Sequence, residues 1–167
     1  MLGQLQEAGN TTTLAHYLDL LSDAGFVTGL SKFSGQAVRR RGSSPKLQVF
    51  DTALITAQSH LSFQEAKSDS SFWGRLVESA VGAHLLNIAS SERIGLFYWR
   101  EGDKEVDFVI RSGNNLTIIE VKSGRTKGVL SGMTAFSKVF APQHKLLVGD
   151  VGIPVAEFLK SDLSGLT

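Results

Sequence analysis

The 167-residue chain carries 17 Lys+Arg against 16 Asp+Glu, is 42% hydrophobic and contains no cysteine. That mixture suits one compact domain or two small ones and excludes wholesale disorder; without Cys there is no disulfide framework, thiolate zinc site or Cys nucleophile. A net charge of +1 gives no global pull toward nucleic acid, so any such binding must rest on a local patch.

The opening run Met1-Leu2-Gly3-Gln4-Leu5-Gln6-Glu7 lacks the basic-then-apolar order of a secretory signal. No apolar run approaches the ~18 residues that span a bilayer. A soluble, cytoplasmic protein with no membrane partner is the expectation. The short lead before Asn10-Thr11 reads as the abrupt start of a piece cut from something longer.

Asn10-Thr11-Thr12-Thr13 offers cap oxygens ahead of Leu14, Tyr17, Leu18 and Leu21, whose spacing predicts a helix over 12–24 with Gly25 as its stop. A short strand over 26–30 follows. Then comes a loop holding Gly35, Arg39-Arg40-Arg41 and Gly42-Ser43-Ser44-Pro45. Leu47 to Phe50 alternates as a second strand, and Asp51 can cap a short helix through Gln58. Helix, strand, loop, strand outlines a winged-helix-like module over 1–60; a generic α+β connection is the alternative. The polar stretch 59–70 reads as a boundary, with a linker at 61–70.

A long helix is predicted over 71–90, capped by Ser70 or Ser71. Three strands follow, at 96–99, 106–110 and 116–121. Ser112-Gly113-Asn114-Asn115 turns the last two into a hairpin. A helix at 129–140 and a strand at 145–149 complete a strand–helix–strand unit with a parallel pair. Pro154 can start a last helix at 155–160.

The chemistry gathers in Glu105-Val106-Asp107-Phe108-Val109 and Ile119-Glu120-Val121-Lys122. Strand alternation places Glu120 and Lys122 on one face. Asp107 lies among apolar neighbours on the adjacent strand, where a carboxylate is costly to bury unless paired or metal-bound. Two such carboxylates side by side call for a cation, and oxygen-only ligands suit Mg²⁺ or Mn²⁺. Lys122 can orient a water or offset developing negative charge. Glu78, flanked four residues either way by Gly74 and Gly82, can approach a sheet closely; the alternative is that it points at water.

Glu78 on a first helix, Asp107 on a second strand and Glu120-Val121-Lys122 on a third resemble the PD-(D/E)xK nuclease superfamily core. The resemblance implies an α/β (α+β) domain over 71–167 with αβββαβ order and a mixed sheet. It also implies metal held by Asp107 and Glu120, a supporting Glu78, and a water-assisting Lys122. Position 106 departs from the pattern, with Val106 in place of proline. From Leu14 to Phe50, with Pro45-Lys46-Leu47 leading into Asp51, and on through Glu105–Val109, the chain is similar to the C-terminal DUF4143 region of a prokaryotic AAA+-type ATPase family. That resemblance spans about residues 10–150 and implies an upstream ATPase domain as partner. No G-x-x-x-x-G-K-[ST] occurs, so ATP is not expected to bind this chain.

The fold is shared by active and inactive proteins, so activity must be read from the site. The leading expectation is a nuclease-like fragment hydrolysing DNA with Mg²⁺ or Mn²⁺. The alternatives are a DNA- or protein-binding regulatory module of the ATPase, whose charges only stabilise the fold, and a dimerisation domain. Arg39, Arg40, Arg41, Arg125 and Lys127 are candidate phosphate contacts, with a merely solvated surface as the other reading. His84 is a candidate neighbour of Glu78, although a solvent or core histidine is the favoured reading; Trp73 and Trp99 read as packing residues.

Overall fold

A computed structural model describes residues 11–35, 44–92, 94–124 and 130–162. The elements, in chain order, are α1 (Thr11–Asp23), β1 (Val27–Lys32), β2 (Lys46–Val49), α2 (Ala53–Ser59), α3 (Phe63–Ser68), α4 (Ser70–Ser91), β3 (Gly95–Glu101), β4 (Lys104–Ser112), β5 (Asn115–Lys122), α5 (Ser131–Phe140), β6 (His144–Gly149) and α6 (Val155–Phe158). They form a mixed α/β fold on a six-stranded sheet of order β2-β1-β3-β4-β5-β6. Among the described residues, no helix is long and apolar enough to cross a membrane.

Helix α1 ends as its glycine dictates. Gly25 adopts φ +72, and the Phe26 and Gly25 amides donate back to the Leu21 and Ser22 carbonyls, closing the last turn. The chain then enters β1, which pairs antiparallel with β2 and, at Ser31 and Lys32, parallel with Phe97 and Tyr98 of β3. The first 60 residues thus add two strands to the sheet built by the rest. Asp51 accepts from the Ala53 amide at 2.8 Å at the start of α2.

Two expectations change here. The polar stretch read as a linker contains helix α3, because Ser62 and Glu65 form a capping box: each side chain takes the other's backbone N–H. Helix α4 is capped by Asp69 rather than by Ser70 or Ser71. Asp69 stays extended, and its carboxylate accepts from the amides of both Ser71 and Phe72, where a negative charge also meets the positive end of the helix.

Hydrophobic periodicity decides the layers. Val77, Val81, Leu85 and Leu86 of α4 pack on one sheet face against Phe108, Ile110, Ile119, Val121 and Val148, joined by Phe158 of α6. Met133 and Phe136 of α5 pack on the other against Phe97, Trp99, Val106, Val109 and Ile118. Trp99 and Trp73 are packing residues, Trp73 partly buried at the edge of the α4 layer. β4 and β5 form the predicted hairpin, and β5 and β6 the predicted parallel pair.

Candidate functional site

Where β4 meets β3, the ladder slips. Phe97 pairs with Val109 and Trp99 with Val106, so two steps along β3 face three along β4. The bulge falls at Asp107-Phe108: Val106 and Val109 both pack on the α5 side, while Phe108 packs under α4. A bulge re-aims side chains out of strict alternation. Here it brings Asp107 to the end of β5, where Asp107 Oδ2 accepts from the Val121 amide at 2.8 Å. That amide lies between Glu120 and Lys122.

Glu120 and Lys122 share a face, as alternation requires, and Lys122 Nζ lies 2.8 Å from Glu120 Oε1. The other oxygen, Glu120 Oε2, is buried with no hydrogen-bond partner among the described residues, and the residue is 8% exposed. Glu78 reaches the sheet from α4, held close by its flanking glycines. A Cβ on Gly74 would stand 3.2 Å from Ser123 Oγ, and one on Gly82 would run into the Gln48 side chain. That Gln48 amide donates to the Ser79 carbonyl at 2.9 Å and ties β2 to α4.

Lys46 is the residue that sequence reasoning missed. From β2 its Nζ lies 2.6 Å from Glu78 Oε1, 3.3 Å from Glu105 Oε1 and 3.6 Å from Asp107 Oδ1. It also sits 5.4 Å from the centre of the Phe108 ring. Burial pulls the Lys46 ammonium toward neutrality, but Asp107, Glu78 and Glu105 outweigh it and hold its pKa above the ordinary lysine value. Lys122 is likewise held up, burial being opposed first by its hydrogen bond to Glu120. For Asp107 the shift is also upward and favours the neutral form: burial, then the Glu78 and Glu120 charges, raise its pKa to about 7 despite Lys46 and the Val121 amide.

A cleft of about 470 Å³ opens beside the cluster, lined by Ser71, Gly74, Arg75, Glu78, Lys122 and Ser123 among others. Arg75 is a second cation there that the sequence reading left out. His84 does not join Glu78; its ring packs on Phe158 and its Nε2 lies 2.9 Å from the Ser161 carbonyl. Arg39, Arg40, Arg41, Arg125 and Lys127 lie outside the described residues.

Asp107 and Glu120 are oxygen donors of the kind that a hard divalent cation takes. Glu120 offers a buried oxygen with no hydrogen-bond partner among the described residues, and Asp107 shares the one ammonium of Lys46 with Glu78 and Glu105. Mg²⁺ needs no more than one or two carboxylates, water supplying the rest. Glu78 is committed to Lys46, which leaves two carboxylates; among the described residues no group of three or more His, Asp or Glu side chains is placed to hold a metal.

The site's backbone is tightly set. Gly149 of β6 lies beside Lys122 at φ +131, where an added Cβ would strike the Lys122 carbonyl. Gly149→Ala is expected to cost about 3 kcal/mol from overpacking and backbone strain. A denaturant melt checks this, and an unchanged midpoint would contradict the geometry.

No curated protein and no solved structure matches the chain. Glu78, Glu105, Asp107, Glu120 and Lys122 all fall in residues 73–152, whereas Lys46 falls in residues 2–65. The latter stretch matches a family described as a domain of unknown function, DUF8612, and residues 73–152 match a second, described as a domain of unknown function, DUF4143.

Proposed function

We propose that this chain is a PD-(D/E)xK nuclease-like module that hydrolyses phosphodiester bonds of DNA with Mg²⁺ or Mn²⁺. The observation that carries the reading is the buried, unpartnered Glu120 Oε2 beside an Asp107 whose pKa is raised to about 7. Asp107 shares one ammonium with Glu78 and Glu105, and Glu120 keeps one oxygen without a partner among the described residues, a charge demand that a divalent cation could take over. The order α4-β3-β4-β5-α5-β6 is the αβββαβ order of that superfamily and supports the reading.

Asp107 and Glu120 would hold the cation, which supplies charge neutralisation at a phosphoryl oxygen and acidifies water. Lys122 Nζ, 2.8 Å from Glu120 and 39% exposed on its side chain, faces the cleft and can donate to the attacking water or to a phosphate oxygen. Glu78, paired with Lys46, supports the site from α4. Arg75 adds positive charge to the same cleft. In this reading α1, β1 and β2 form a winged-helix-like module, Arg39, Arg40, Arg41, Arg125 and Lys127 contact DNA phosphates, and the partner is an AAA+-type ATPase domain.

Incubation of the chain with linear and plasmid DNA in Mg²⁺ or Mn²⁺ tests this. Cleavage is expected, and Lys122→Ala is expected to slow it about 10²–10³-fold, the scale of losing one charge-stabilising donor. Absence of cleavage by the unaltered chain would sink catalysis by this chain alone.

A second reading is favoured by one observation, the three carboxylates gathered on Lys46. Here the charges hold β2 to the core, and the module binds DNA, a protein or its own copy without catalysis. It predicts salt-dependent DNA binding or self-association that survives Asp107→Ala and Glu120→Ala.

A further inference from the structure

We propose that Lys46 is an in-built counter-ion that competes with the divalent cation for the carboxylate cluster, so that metal entry requires Lys46 to leave. The inference rests on the metal-site reading above and adds its regulation.

Asp107 is the shared group. Its Oδ1 faces Lys46 Nζ at 3.6 Å, and it is also one of the two carboxylates left to a metal. Glu78, the carboxylate that would complete the set, is taken at 2.6 Å by the same ammonium. Lys46 therefore occupies the positive-charge demand of Glu78, Glu105 and Asp107 together. A divalent ion set beside Asp107 and a fixed ammonium among the same carboxylates would repel each other at short range in a poorly solvated place. The two cations are alternatives rather than companions.

The anchorage of β2 lets the side chain move alone. The strand is held by its ladder to β1, by the Gln48 amide on the Ser79 carbonyl, and by Tyr98, whose hydroxyl donates to the Ser44 carbonyl at 2.7 Å. None of these bonds uses the Lys46 side chain. Release of Lys46 to solvent thus costs its ion pairs and leaves the sheet in place. Because competition is reciprocal, anything that draws Lys46 off the cluster raises metal affinity, and bound metal loosens the hold of Lys46. A lysine in residues 2–65 thereby gates a metal site in residues 73–152.

Mn²⁺ binding by the full chain, read from the loss of the free aqueous Mn²⁺ paramagnetic signal, tests the competition without reference to activity. Lys46→Met is expected to tighten Mn²⁺ binding by roughly tenfold or more, the effect of removing a competing charge. Lys46→Arg keeps the charge and should stay near the unaltered protein, and Lys46→Met combined with Glu120→Gln should lose the gain. Equal or weaker binding by Lys46→Met overturns the competition, while Glu120-dependent binding by the unaltered chain would leave the metal site standing. No binding by any variant overturns both. Should Lys46→Met fail to fold, Lys46→Gln, which keeps a polar head without the charge, is read by the same criterion.

Discussion

Glu120→Gln is expected to lower the rate of Mg²⁺-dependent DNA cleavage about a thousandfold, corresponding to ~4 kcal/mol of lost transition-state stabilisation. The substitution keeps shape and removes charge. It takes away the unpartnered Oε2 and, at the same stroke, the anion that holds Lys122 at 2.8 Å. Both the cation and the water-directing ammonium would lose their place. Single-turnover rates on a linear duplex check the expectation, with the thermal midpoint as control for folding. Retention of more than about a tenth of the rate would mean that Glu120 holds no metal during the reaction.

The second large effect concerns stability. In chelator-treated protein, the thermal midpoint is expected to fall as pH rises from about 4 to about 7 and then to level. The folded chain keeps a proton on Asp107 up to about pH 7, whereas the unfolded chain releases it near the ordinary carboxylate value of 3.8. The folded state thus binds more protons across that window, and stability drops with pH through it. A shift of about three units corresponds to at most ~4 kcal/mol. Lys46 and Lys122, both held above the ordinary lysine value, keep their charge throughout. Asp107→Asn should flatten this part of the profile and raise the midpoint at neutral pH, since the amide oxygen can still accept from Val121. Calorimetric melts across the range check this. A profile unaltered by Asp107→Asn would show that another group carries the dependence.

Local patterns were legible in the sequence. The apolar spacing from Phe72 to Ile88 marked α4, and Ser112-Gly113-Asn114-Asn115 marked the β4–β5 hairpin, with Gly113 at φ +58. The shared face of Glu120 and Lys122 follows from a period of two. Ser62-x-x-Glu65 also lay in plain view as a capping signature, but the polarity around it suggested a boundary instead. Asp69, by contrast, competed with two serines as cap and won because its carboxylate accepts from two amides.

Non-local facts were not legible. Nothing in the order of residues 27–32 announces a parallel pairing with β3, since the partner lies some 66 residues on. The bulge at Asp107-Phe108 leaves the apolar run of β4 intact while re-aiming the carboxylate. Lys46 meets Glu105 across 59 residues of chain, and its strand gives no sign of a buried ion pair. The candidate site was therefore visible as carboxylates and one lysine, and invisible as a balance of charge with a second lysine at its centre.

Asp107 and Glu120 are proposed to hold a divalent cation. Crystals of the chain soaked in Mn²⁺ at neutral pH test it most directly, through the anomalous signal of the metal. A Mn²⁺ peak between the Asp107 and Glu120 carboxylates, with Lys46 displaced from Asp107, is the predicted result. Saturating Mn²⁺ with no peak there, and Lys46 still seated on Glu78 and Asp107, would contradict it.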